Sequence, residues 1–70
     1  MSLDAFIHQV TINWIQQRKD DDTLRFGQVF FNTLHGYRPA LADGLRGTPM
    51  DPFYKDALSN DTMEWLQERW

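Results

Sequence analysis

Few residues in this 70-residue chain have types and spacings that could perform chemistry. Its two histidines, His8 and His35, fall on different predicted helices, and no further pair of histidines or carboxylates stands at the spacing that metal ligands need. Its two serines, Ser2 and Ser59, precede predicted helices, so their hydroxyl groups are expected to cap those helices rather than to act as nucleophiles. The sequence therefore predicts no metal site and no serine nucleophile.

The acidic residues and the absence of cysteine also argue against catalysis. No two Asp or Glu residues share a helix face inside an apolar surround that would prepare one of them as a general acid. The chain has no cysteine, which excludes disulfides, thiolate zinc sites and thiol nucleophiles. Without a set of acid, base and nucleophile, we expect a protein that is not an enzyme and uses no cofactor.

A polar pattern recurs in the stretch RFGQVFFNTL. At about 100° per residue, one narrow arc of the predicted helix contains Arg25, Gln28, Asn32 and His35. This stripe has two interpretations. It is a hydrogen-bonding surface that binds a partner, or it is structural: either a solvated face or a network that joins Arg25 to Asp51 or another carboxylate of the loop MDPFY. The second is favoured because a chain this small must fix its irregular loop.

Hydrophobic spacing predicts the helices that position these residues. Apolar residues at positions 3, 6, 7, 10 and 14 predict a first helix from Leu3 to Lys19 with Ser2 as its N-cap. A second helix is expected to begin after a cap at Asp22 or Thr23 and to end near His35, where Gly36 would close it. The core face of that helix is expected to contain Phe26, Val29, Phe30, Thr33 and Leu34.

Glycine and proline mark the remaining elements. Gly27 lies inside the second helix, where it is best explained by the close approach of another segment. Pro39 begins a short third helix, the segment GTPMDPFY forms a loop anchored by Phe53 and Tyr54, and a last helix begins near Asn60 or Asp61. The fold prediction is all-α: one small single-domain bundle over residues 1–70, with three principal helices, one or two short helical turns, and the second helix in the centre.

Three apolar residues fall outside the predicted core faces. Ile12 and Ile15 lie roughly 120° to 180° from the apolar face of the first helix, and Trp65 lies outside the arc of Met63, Leu66 and Trp70 on the last helix. These side chains either pack against other helices in a small core or form an exposed apolar patch that binds a protein. In the second case Trp65 is a natural anchor.

The charge balance limits the classes of partner. Seven basic and ten acidic residues give a formal net charge of −3, which opposes binding to a phosphate backbone. The segment PALADGLRG would make a poor recognition helix, because it offers one arginine and no Asn or Gln for contacts with base edges. No apolar run approaches the roughly 18 residues of a membrane span, and the N-terminus lacks the order of a signal peptide. A soluble intracellular protein is expected.

A scattered pattern covers nearly the whole chain, from about Leu3 to Leu66. It reads R-x-G-Q-x3-N, P-x-L, G-T, D-P-F-Y and W-L, and its residues are Arg25, Gly27, Gln28, Asn32, Pro39, Leu41, Gly47, Thr48, Asp51, Pro52, Phe53, Tyr54, Trp65 and Leu66. This pattern resembles a family of short uncharacterised proteins encoded by bacteriophages and prophages. The resemblance implies a phage or prophage accessory protein and brings no known catalytic or binding residue.

Small accessory proteins of this kind often act by binding a host protein or a phage assembly component. The resemblance therefore implies a non-enzymatic protein-binding module in the bacterial cytoplasm, with inhibition of a host regulator or defence as one version. A self-associating structural or assembly protein, such as a homodimer, is the alternative, and a nucleic-acid-binding regulator is a further one. The candidate partner-binding residues are Ile12, Ile15, Arg25, Gln28, Asn32 and Trp65.

Overall fold

Four helices, joined by turns and one longer loop, make up the chain in a computed structural model that describes all 70 residues. They are α1 (Leu3–Gln17), α2 (Phe26–Tyr37), α3 (Pro39–Leu45) and α4 (Asn60–Arg69). No residue lies in a strand. The predicted all-α class, with three longer helices and one short one, is confirmed.

Helix α1 begins where the sequence predicts and ends earlier. The Ser2 hydroxyl accepts a hydrogen bond of 3.1 Å from the Ala5 backbone N–H, as expected of an N-cap. The helix ends at Gln17 rather than Lys19 because the chain turns back along α1 after Arg18. Trp14 stabilises the segment that follows this turn, because its indole N–H donates a 2.9 Å hydrogen bond to the Leu24 carbonyl.

Helix α2 begins and ends later than the sequence predicts. It begins at Phe26, because Asp21 accepts hydrogen bonds from the Thr23 hydroxyl and backbone N–H and so closes a separate turn. Gly36 lies inside the helix and does not adopt a positive φ. The helix stops at Tyr37 because Pro39 disfavours helical geometry at the preceding residue, Arg38, whose φ and ψ are −139° and 79°.

Helix α2 is central, because it packs against both α1 and α3 and supplies more buried hydrophobic side chains than any other helix. Phe26 and Thr33, predicted for the core, are only half-buried. Helix α4 closes the core with Leu66. The ten buried hydrophobic residues form one cluster: Leu3, Phe6, Val10, Val29, Phe30, Phe31, Leu34, Ala42, Leu45 and Leu66.

The loop between α3 and α4 is held against the start of α2 at Gly27. The Gly27 N–H donates a 2.9 Å hydrogen bond to the Lys55 carbonyl, and a Cβ at Gly27 would lie 1.7 Å from the Pro52 carbonyl oxygen. The predicted close approach at this glycine is therefore confirmed. We call the contact of Gly27 with Pro52 and Lys55 the Gly27 junction.

Side-chain hydrogen bonds fix the rest of this loop. Ser59 caps α4, as predicted for its hydroxyl, by accepting a 3.1 Å hydrogen bond from the Thr62 N–H. The buried Thr62 hydroxyl donates to the Met50 carbonyl at 2.7 Å. Because that hydroxyl has one proton, the Ser59 hydroxyl is the donor in their 3.0 Å contact. Loop and helix α4 thus share one satisfied network.

Candidate functional site

Two exposed isoleucines lie on α1. Ile12 and Ile15 are 37% and 46% exposed, although branched aliphatic side chains are usually buried. At about 100° per residue they share one side of the helix with His8 and Thr11. We call these four residues the outer face of α1, and both isoleucines predicted to lie outside the core face are indeed exposed there.

An apolar groove borders this face. It encloses about 390 Å³ and is lined by Ile7, Thr11, Trp14, Phe26, Asp56, Ala57, Leu58 and Met63. Thr11 belongs to both surfaces, because it lines the groove and lies one helical turn before Ile15. The exposed isoleucines and the groove therefore form one continuous, mainly apolar region. Sequence reasoning missed the groove, because its far wall comes from the loop at residues 56–58.

Contacts within the chain fix the floor of the groove. The Trp14 indole is tied to the Leu24 carbonyl, and the Phe26 ring meets it edge-on with a centroid distance of 5.6 Å. The Arg18 guanidinium lies 4.7 Å from the centroid of the Trp14 ring, a cation–π geometry. This end of α1 consequently carries a positive charge beside an apolar surface.

Of the two structural roles expected for the polar stripe, the network from Arg25 to the loop is absent, whereas most of the stripe is exposed as a solvated face would be. Arg25 makes no ion pair, and its expected contact with Asp51 is absent. Asp51 instead accepts hydrogen bonds from the Gly47 and Phe53 backbone N–H groups at 2.9 and 3.0 Å. The loop therefore satisfies its own carboxylate, which is why Arg25 is not needed there. Arg25 and Asn32 are exposed and Gln28 is half-buried.

Asn32 lines a second depression, of about 450 Å³, between α2 and the loop. In its wall the Arg46 guanidinium lies 5.5 Å from the centroid of the Phe31 ring. Phe53 packs edge-on against Phe31 at 5.8 Å and anchors the loop as predicted. Tyr54 was expected to be a second anchor, but it is 79% exposed, so that prediction is wrong. Of the two aromatic residues, Phe53 is the one that packs against α2, through Phe31.

Trp65 is half-buried rather than free on the surface. Its ring packs over Gly44, where a Cβ would lie 3.0 Å from the nearest ring atom, and the Arg69 guanidinium lies 4.3 Å from the ring centroid on α4. The absence of a side chain at Gly44 lets α3 receive this ring. Its role in binding a partner stays a prediction, whereas its packing against α3 is a property of the fold.

The acidic side chains form no candidate metal site, and one of them has a shifted pKa. No three His, Asp or Glu side chains lie close enough together to hold a metal ion. The pKa of Asp21 lies below its ordinary value because the Thr23 hydroxyl and then the Thr23 backbone N–H donate hydrogen bonds to its carboxylate. Both hydrogen bonds belong to the exposed turn after α1, so this shift has a structural cause.

Comparisons with known proteins and the helix properties add two findings. None of the four helices combines the length and the apolar character that crossing a bilayer requires. No protein-family model, curated protein or solved structure matches the chain significantly.

Proposed function

We propose that this chain is a small, non-enzymatic accessory protein of bacteriophage or prophage type that works in the bacterial cytoplasm by binding another protein. The observation that carries the proposal is the exposure of Ile12 and Ile15 beside the apolar groove. Contiguous apolar surface on a small domain is typical of a protein interface. The phage origin is supported by the sequence pattern alone.

The chain is small, with 70 residues. A domain of this size buries a small core and is only marginally stable. An exposed aliphatic pair contributes nothing to that stability unless a partner covers it. Burial of apolar area contributes roughly 25 cal/mol per Å². Covering Ile12, Ile15 and the groove would recover that contribution on binding, which is why a protein is the class of partner we propose.

The experiment is a capture assay with tagged chain, in which bacterial lysate and untagged copies of the chain are offered together. Ile12→Asp/Ile15→Asp is the test variant, because both positions are exposed. Tyr54→Ser is the matched control, because it removes a more exposed apolar side chain from another surface. Near-ultraviolet circular dichroism of the tryptophans checks that both variants are folded.

We expect a specific protein to be retained by the wild-type chain and by Tyr54→Ser, and to be lost with the double isoleucine variant. The proposal is contradicted if no protein, including the untagged chain, is retained above background. It is also contradicted if the same protein binds all three forms equally, because the outer face of α1 would then be uninvolved.

A further inference from the structure

The outer face of α1 has an acidic residue on its N-terminal side and a basic residue on its C-terminal side. Asp4 is exposed in the first turn of the helix, and Lys19 is exposed two residues beyond its last turn. The two exposed isoleucines lie between these charges. A second helix running in the opposite direction would therefore place its Lys19 near Asp4 and its Asp4 near Lys19. Antiparallel pairing also brings opposite ends of the two helix dipoles together.

The register of this pairing follows from the sequence numbers. If Asp4 is level with Lys19 of the second helix, then His8 is level with Ile15, and Thr11 is level with Ile12. The two-fold axis passes between residues 11 and 12. An exposed branched aliphatic residue thus lies at the axis, where a two-fold interface brings the same patch of each copy together.

We propose that the partner at the outer face of α1 is a second copy of this chain, whose α1 packs antiparallel across a two-fold axis beside Ile12. The inference rests on the proposed function, because it takes this face to be a protein-binding surface. It adds the identity of the partner, the relative direction of the two helices and the register.

The aliphatic contact and the charges have different roles in this dimer. Each chain carries a formal net charge of −3, and the acidic turn at residues 20–22 follows Lys19, so two whole molecules repel each other weakly. Burial of Ile12 and Ile15 supplies the affinity. The Asp4 and Lys19 ends set the antiparallel direction, since charge complementarity contributes more to orientation than to affinity.

The first test is the mass of the full chain in solution by sedimentation equilibrium over a range of concentrations. The wild-type chain is expected to approach twice the 8.3 kDa of one chain as concentration rises. Ile12→Asp is expected to raise the dissociation constant of the dimer at least about 100-fold, because it places two carboxylates together at the axis. Tyr54→Ser is expected to leave it unchanged.

The second test is a charge exchange that a merely structural effect cannot imitate. Asp4→Lys places lysines opposite each other at both ends and is expected to weaken the dimer about 10-fold. Adding Lys19→Asp restores opposite charges and is expected to return the dissociation constant to within about 3-fold of wild type. Within one chain Asp4 and Lys19 lie at opposite ends of the 15-residue helix α1, so only a second chain can produce this rescue.

The outcomes separate this inference from the proposed function. A chain that stays monomeric at all concentrations but captures a bacterial protein through Ile12 and Ile15 overturns the second-copy inference and keeps the proposed function. A chain that is monomeric and captures nothing overturns both. A dimer that Ile12→Asp does not disturb, or that the charge exchange does not rescue, uses another face or another direction and also overturns the inference.

Discussion

The Gly27 junction and the outer face of α1 differ in how far the chain itself covers them. At the junction, helix backbone and loop backbone touch without an intervening side chain, and the hydrogen bond from Gly27 to Lys55 closes the contact. On the outer face, Ile12 and Ile15 are only partly covered by their own chain, with 37% and 46% of their surface exposed. The junction therefore stabilises the fold, whereas the outer face is the surface that we propose binds a protein.

The substitution with the largest expected effect is Gly27→Ala, which tests the structural role of the junction. A methyl group there would overlap the Pro52 carbonyl oxygen at 1.7 Å, so the loop must move and the hydrogen bond to Lys55 must lengthen. We expect a loss of at least about 3 kcal/mol in the free energy of unfolding, measured by urea denaturation.

The matched control for that variant is Gly36→Ala in the same helix. Nothing lies within 4 Å of a Cβ at Gly36, so the alanine adds helix propensity and should stabilise by up to about 1 kcal/mol. Equal losses for the two variants would show that the close approach at Gly27 does not govern its stability effect.

A second comparison uses two residues of α1 that lie two positions apart. Val10 is fully buried and Ile12 is exposed, so Val10→Ala should cost about 2 kcal/mol while Ile12→Ala should cost less than about 0.5 kcal/mol. The measurement is thermal denaturation at a concentration too low for association. A large loss for Ile12→Ala in the monomer would contradict its assignment to a binding surface.

Removal of the buried hydroxyl of Thr62 tests the loop network. Thr62→Val leaves the Met50 carbonyl without its 2.7 Å hydrogen bond, and we expect a loss of about 1 to 2 kcal/mol. Thr33→Val is the control, because the Thr33 hydroxyl bonds to Val29 within its own helix. Denaturant unfolding should give a larger loss of stability for Thr62→Val than for Thr33→Val. Equal losses would show that the loop network does not stabilise the chain.

The smallest effect concerns the turn after α1. Asp21 has a lowered pKa because the Thr23 hydroxyl and backbone N–H bond to its carboxylate. The stability that these hydrogen bonds contribute is fully present above the ordinary pKa of an aspartate. It is lost as pH falls through the lowered pKa of Asp21 in the folded chain. Thr23→Val should therefore raise the pKa of Asp21, as followed by carboxyl-carbon NMR. Thr48→Val should not, because Thr48 bonds to Leu45.

Local features of the fold could be predicted from the sequence because their causes are local. Ser2 and Ser59 cap helices through hydrogen bonds to residues three positions later, and the helical period placed Val29, Phe30 and Leu34 in the core. Gly27 was predictable because an interior helix glycine needs a compensating contact. The angles of Ile12 and Ile15 on α1 placed them outside its core face, but left open whether another helix covers them.

Features set by distant residues could not be predicted in this way. The groove needs the loop at residues 56–58 as its far wall, and Trp65 is covered because Gly44 on another helix makes room for it. Asp51 bonds to its own loop rather than to Arg25, a choice between two partners that spacing does not settle. Each of these depends on which segments meet in space.

The most direct test of the central claim uses the isoleucines themselves. The chain contains three, Ile7, Ile12 and Ile15, and all lie on α1, so methyl NMR of isoleucine-labelled chain observes this helix alone. As concentration rises, we predict that the Ile12 and Ile15 methyl signals shift more than that of the half-buried Ile7. If all three signals stay constant with concentration and in bacterial lysate, the outer face of α1 is not a binding surface.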